Sequence, residues 1–220
     1  MRVVVAGAHG QVARRLVRRL ADRGDEVLGL VRNPDHVVDV VADGGRGVVV
    51  DLESASVEEV SWALADADAV VFAAGAGPGS GAARKDTVDR GGAVLLADAA
   101  ERAGVRRYVL VSSMGVERVR DGAEPDGVDE VFLAYLRAKL AAEDDLRSRD
   151  LDWTVLRPGR LTDEPATGDV WLQPSVPYGE VPRDDVAAVV VRLLDDPTTS
   201  GQVLELTSAG AGSSSRSARA

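Results

Sequence analysis

Short apolar runs and amphipathic stretches alternate along this chain, and the alternation predicts its elements. Val3 to Val5 form a β-branched run without a polar break, as in a strand buried on both faces of a parallel sheet. Behind it Val12, Leu16 and Leu20 recur at i, i+4 and i+8 with arginines between them. That predicts an amphipathic helix over 11–23, with Gly24 as its C-terminal cap. The same patterns predict further strands at Glu26–Val31, Gly47–Val50, Ala69–Ala73, Arg106–Val111, Trp153–Leu156 and Gln202–Leu206. Helical patterns lie at 56–65, 83–103, 129–149 and 184–195. Strands alternating with helices imply the α/β class: one domain over 1–207, built on a doubly wound, mostly parallel sheet with right-handed crossovers. Segments 115–128 and 159–183 are expected to form a small substrate lid. Residues 208–220, rich in Gly, Ser and Ala, are expected to be a disordered tail.

The junction of the first strand and first helix reads Gly7-Ala8-His9-Gly10-Gln11-Val12-Ala13. A glycine turn between a strand and a helix N-terminus is the arrangement that cradles a dinucleotide pyrophosphate. Gly7 permits the tight turn, Gly10 lets backbone approach phosphate, and small Ala13 lets the helix pack close to the strand. Unpaired N–H groups and the positive end of the helix dipole then face the anion. In such a sheet ligands bind beyond the carboxyl ends of the strands. Candidate cofactor contacts are therefore the residues following each strand: Gly7, His9, Gly10, Gln11 and Val12; then Arg32; then Asp51 and Leu52; then Ala73, Ala74 and Gly75; then Ser112; and Pro158. Arg32 stands where a carboxylate would accept from the ribose of NAD, and an arginine there suits the 2′-phosphate of NADP. The expected cofactor is NADP, with NAD the less favoured. Asp51 has two readings, a partner for the adenine amino group or a local cap.

Composition narrows the class. The chain has 220 residues, 45% of them hydrophobic, enough for a good core. No run of 18 apolar residues occurs, and the N-terminus has no signal-peptide pattern, so neither a membrane partner nor export is expected. Zero cysteines and two histidines leave no material for a disulfide scaffold or a zinc site, and no metal is expected. A net charge of −10 argues against nucleic acid as a partner. A cytoplasmic enzyme with a small-molecule substrate is the expected class, its oligomeric state left open. Among 26 basic residues only Lys85 and Lys139 are lysine, so each invites a reason.

Tyr135 and Lys139 stand at i and i+4 in a helical pattern, on one face beside an apolar stripe of Val131, Ala138, Ala142 and Leu146. An ammonium beside a partly buried phenol favours phenolate, so the spacing predicts a lowered phenol pKa. Such a group serves as a general acid/base at a carbonyl or alcohol. Ser112 or Ser113 upstream could hydrogen-bond the same substrate oxygen.

GAHGQVARRL at 7–16, Arg32, FAAGAGP at 72–78, RRYVLVSSMG at 106–115, YLRAK at 135–139, LDWTVLRPG at 151–159 and RDDVA at 183–187 occur in this order. Together they resemble the atypical short-chain dehydrogenases/reductases, and within them the subgroup labelled NAD(P)-dependent epimerase/dehydratase, over residues 2–207. The resemblance implies a Rossmann fold binding NADP. It also implies Tyr135 as general acid/base, Lys139 on the nicotinamide ribose and Ser113 orienting substrate. Where the wider family uses an asparagine after the fourth strand, this chain has Asp89, which puts a proton relay through that helix in doubt.

The leading expectation is an NADP-dependent oxidoreductase acting on a small carbonyl or alcohol. A non-catalytic NADP(H)-sensing protein is the alternative from another class, followed by a flavin or quinone reductase, or an epimerase. The short remainder after the sixth strand suits a small molecule better than a sugar nucleotide. Trp171, Tyr178 and Met114 are expected to line the substrate pocket.

Overall fold

The structure, a computed structural model, describes residues 1–77 and 79–212. Its first half runs β1 (Arg2–Ala6), α1 (Gln11–Asp22), β2 (Glu26–Val31), α2 (Val37–Ala42), β3 (Arg46–Val49), α3 (Val57–Ala63) and β4 (Ala69–Phe72). There follow α4 (Ala82–Arg84), a π-helical segment at Lys85–Gly91, α5 (Gly92–Ala103), β5 (Arg107–Val111) and α6 (Glu130–Arg147). The chain ends in β6 (Asp152–Pro158), β7 (Arg160–Thr162), β8 (Val170–Gln173), β9 (Glu180–Pro182), α7 (Arg183–Asp195) and β10 (Gln202–Ser208). The central sheet has eight strands in the order β3-β2-β1-β4-β5-β6-β10-β8, all parallel except β8, which runs antiparallel to β10. This is the Rossmann-like α/β fold expected, with the order reversing between β1 and β4.

Burial explains the apolar runs. Val3, Val4 and Val5 are all fully buried, because helices cover both faces of β1. Val3 and Val5 pack with α1 and α7; Val4 and Ala6 pack with the α3 and α5 side. Strand alternation thus divides one run between two cores. Gly29 in mid-β2 answers to a close approach: a Cβ there would lie 2.6 Å from the Ala8 Cβ and 2.8 Å from a Val40 methyl. Two helix starts carry local signals. Ser56 and Glu59 form a capping box on α3, and the Asp129 carboxylate accepts from the Phe132 N–H on α6.

Several elements depart from the expectation. The helix expected at 83–103 is broken by the π-helical turn at Lys85–Gly91, which ends on Gly91–Gly92, a pair with little preference for a tight helix. β6 extends through Arg157 and Pro158, so these two lie within the sheet, not after it. Segment 159–183 contains β7 and β9, which pair with each other, and β8, which joins the central sheet. α2 is an element the pattern did not suggest. Ser208 ends β10 and Ala209–Gly212 form a 3-10 turn; the remainder of the expected tail, 213–220, lies outside the described residues, as does Pro78.

The crowding at Gly29 sets a test of the packing. Gly29→Val forces a branched side chain between Ala8 and Val40, and urea unfolding should show a loss of about 1–3 kcal/mol. A change below about 0.5 kcal/mol would mean that α2 and the Gly7–Gly10 turn are not held against β2.

Candidate functional site

The Gly7–Gly10 turn is built as the glycine pattern requires. Gly7 has φ +76°, and a Cβ on it would lie 2.5 Å from the Ala74 Cα, so only glycine lets the turn meet the segment after β4. The N–H groups of Gly7 and Ala8 both donate to the Leu30 carbonyl, and Gly10 N–H closes the turn on Gly7 O at 2.8 Å. Gly10 caps α1 with no side-chain bond, and the first turn of α1 holds no acid. The leading N–H groups of α1 are therefore free to meet an anion.

A cleft of about 240 Å³ opens in front of this turn. Its walls come from three strand ends: Gly7, His9 and Gly10 after β1, Arg32 after β2, Asp51 and Leu52 after β3. Ala73, Ala74 and Gly75 after β4 close it. Of the other expected cofactor contacts, Gln11 is exposed beside the cleft and Val12 turns into the core. A larger groove of about 680 Å³ runs along β3 and α3 beside exposed Trp62 and shares Val50 and Asp51 with the cleft.

At the outer end of the cleft the Arg32 guanidinium donates to a Glu53 carboxylate oxygen at 3.1 Å while remaining half exposed. Arg84 donates to the same oxygen at 2.7 Å. Two guanidinium groups thus share one carboxylate at the mouth. Asp51 uses one oxygen locally, accepting the Glu53 N–H at 3.0 Å in the loop they share, while it still lines the cleft; the helix that follows is capped by Ser56 instead. The chain's two histidines meet there as well: the His9 and His36 rings stack with centroids 3.5 Å apart and planes 8° apart.

At the other end stands α6. Lys139 is buried at 4% exposure, not snorkelling along a stripe edge, because the sheet covers one side of α6 and the 3-10 segment Val116–Gly122 covers another. Its ammonium donates to Val111 O at 3.2 Å and to Ala74 O at 3.4 Å, and lies 3.2 Å from the Asp89 carboxylate as an ion pair. Asp89, on the π-helical turn and 1% exposed, accepts the Ala76 N–H at 3.0 Å through its other oxygen. Tyr135 is half-buried over this group, with the Lys139 ammonium 5.9 Å from its ring centroid. Val131, expected in the same stripe, is exposed in the first turn of α6.

Lys85 joins them, unanticipated. It is 8% exposed, donates to Gly77 O at 2.8 Å and sits 5.6 Å from the Tyr135 ring centroid. The chain's only two lysines thus converge on one tyrosine, and their scarcity was the signal that could have found the second. A further buried group sits one turn along α6. Glu143, fully buried, accepts from the Ser112 hydroxyl and pairs with the Arg157 guanidinium, whose other contact is Glu117 at 2.6 Å. Ser112 is therefore turned to Glu143, and Ser113 donates to Met114 O. Pro158 ends β6 with its carbonyl taken by Met114 N–H, outside the cleft wall. Met114 is buried, whereas Trp171 on β8 and Tyr178 before β9 are exposed.

With this geometry in view, comparison identifies the family. The NAD(P)H-binding family model matches residues 7–197, and the chain belongs to that family. It is 33% identical over 208 residues to a protein of Bacillus subtilis named "Uncharacterized sugar epimerase YhfK", covering 94% of each chain. A solved structure from Bacillus halodurans, named "Putative NAD-dependent epimerase/dehydratase", is 38% identical with a TM-score of 0.84 over 94% of both chains. ChuY of Escherichia coli O157:H7, named an anaerobillin reductase, is 25% identical with a TM-score of 0.80, over 96% of this chain and 98% of that one. Among the described residues no helix is long and apolar enough to cross a membrane, and no cluster of residues fit to hold a metal occurs.

The buried charges beside the site make two predictions. Arg157→Met strands the Glu143 carboxylate and should lower unfolding free energy by about 3–5 kcal/mol; a loss under 1 kcal/mol would show the pair to be dispensable. Glu117 is held down at about 2 by hydrogen bonds from Arg120 first and then Arg157, against an ordinary value of 4.5. A depressed carboxylate stabilises the fold fully above pH 4.5 and loses that contribution as pH falls toward 2. Glu117→Gln should therefore flatten the fall of stability in that window, read by urea midpoints, and leave pH 6–8 without a slope change.

Proposed function

From the family and the strand-end geometry, we propose that this chain is an NADP-dependent oxidoreductase that reduces or oxidises a small carbonyl or alcohol. One observation carries the reading: Tyr135, Lys139 and Lys85 converge beyond the carboxyl ends of β4 and β5, where a dinucleotide cradled at Gly7–Gly10 would extend. Arg32, with Arg84 beside it, supports NADP over NAD, since a guanidinium fork suits the 2′-phosphate.

The residues divide the work. Bound nicotinamide supplies the hydride chemistry. The Tyr135 hydroxyl exchanges a proton with the substrate oxygen, with both ammonium groups beside its ring. Lys139, already anchored on Ala74 O and Val111 O, presents its charge at the ribose. Asp89 serves as a fixed counter-ion that pins the Ala76 N–H, not as the relay amide of the wider family. Ser113, adjacent to the strand end, is the serine left for the substrate once Ser112 is committed to Glu143. Segments 115–128 and 159–183 cover the substrate.

Epimerisation is the second reading, favoured by the name of the Bacillus subtilis relative. It would use the same tyrosine without net cofactor consumption. The experiment is a panel of small carbonyls assayed for NADPH consumption, followed by Tyr135→Phe. Turnover should fall about 10²–10⁴-fold while NADPH affinity stays within about threefold. Lys85→Met should lower kcat by about tenfold or more with cofactor affinity kept, and Lys85→Arg should restore part of it. Turnover untouched by Tyr135→Phe would favour flavin or quinone reduction. NADPH binding with no consumption and no epimerised product would favour a sensor.

A further inference from the structure

Both histidines of the chain sit face to face at the outer end of the cofactor cleft, although their strands are separate and nothing in the fold's core needs them. His9 lies inside the glycine turn, and His36 closes the 3-10 turn Pro34–His36 that follows Arg32. Both line the cleft, both are partly exposed, and their rings stack at 3.5 Å. The pairing is held from below by α2: the Asp39 carboxylate is 3.0 Å from His9 Nε2 and also 3.5 Å from an Arg14 nitrogen of α1. Among the described residues the His36 ring makes no hydrogen bond; its backbone N–H donates to the Asn33 carbonyl at 3.0 Å.

Carboxylates slightly outnumber guanidinium groups around the pair. Arg32, Arg14 and Arg84 stand against Glu53, Asp39, Asp51 and Asp35, and Arg14 is also held at 2.6 Å by Asp43, which Arg18 shares. A phosphomonoester brings close to two negative charges. The fixed groups alone do not neutralise them, and the groups able to add positive charge near neutral pH are the two imidazoles. Stacked this closely, two imidazolium rings repel each other unless an anion lies against them. The anion and the proton therefore favour each other.

We infer that His9 and His36, with Arg32, form a proton-linked subsite for the 2′-phosphate of NADP(H), so that binding of the phosphorylated cofactor takes up a proton and binding of NAD(H) does not. The inference rests on the NADP reading above and deepens it: cofactor choice becomes a function of pH. By linkage, a ligand that draws a proton onto the protein binds more tightly as pH falls through the imidazole range.

The test is fluorescence titration of the intact protein with NADPH and with NADH between pH 6.5 and 8.5; the phosphate, with its second pKa at about 6, loses charge toward the low end and by itself would give the opposite slope. Calorimetry in two buffers of different ionisation enthalpy then counts protons. From high to low pH, NADPH affinity should rise about tenfold, NADH affinity should change less than about twofold, and NADPH binding should take up a fraction of a proton or more. His36→Gln should abolish the pH slope and the proton uptake for NADPH while NADH still binds as in the unmodified protein, which also reports that the variant is folded. NADPH preference that is constant over this range, with no proton uptake, would overturn the histidine subsite and leave the NADP reading standing. NADH binding as tightly as NADPH at every pH would overturn the NADP reading, and the subsite with it.

Discussion

A single buried ammonium holds the functional edge of this molecule together. Lys139 reaches from α6 to the carbonyl after β4 and the carbonyl ending β5, and faces Asp89 of the π-helical turn. An unpaired lysine at 4% exposure would be strongly unfavourable, so its partners are constrained in place. Asp89 in turn fixes the Ala76 N–H, and that segment backs onto Gly7, where a Cβ has no room. The glycine turn, the β4 segment, the π-helical turn and α6 are thereby one assembly. Moving any of them shifts the others.

The π-helical turn belongs to the same logic. It buries Lys85, Val88 and Asp89 together, setting a cation against Gly77 O and an anion against Lys139. Wide turns of this kind weaken a helix locally and are found most often at functional sites. The next turn of α6 repeats the pattern with opposite charge, where Glu143 meets Ser112 and Arg157. Along α6, Tyr135, Lys139 and Glu143 thus form a row of polar groups, and Lys139 and Glu143 are satisfied by other elements. The chain carries net charge −10, yet the cleft mouth gathers arginines and both histidines. The charge that matters for an anionic cofactor is local, because screening over about 8–10 Å hides the rest.

Local signals made the scaffold legible. The uninterrupted Val3–Val5 run, the i, i+4, i+8 apolar residues of α1 and the glycine turn each describe neighbours along the chain, and each is realised. Tyr135 and Lys139 on one helical face follow from the same periodicity. Boundaries failed where tertiary contacts overrode propensity. The 83–103 pattern became α4, a π-helical turn and α5, and β6 ran on through Arg157 because that guanidinium is satisfied inside by Glu143.

The sequence by itself determined the alternation of strands and helices, the glycine turn and the placing of Tyr135 and Lys139 on one helix face, since all three depend on spacing along the chain. Only the tertiary structure decided that Lys85 joins that tyrosine, that Asp89 is a counter-ion, that Ser112 is committed to Glu143, and that His9 stacks on His36. Periodicity states which face of a helix or strand a side chain occupies. It carries no information on which other element the sheet order brings opposite, and buried charges and stacked rings are set by that opposition.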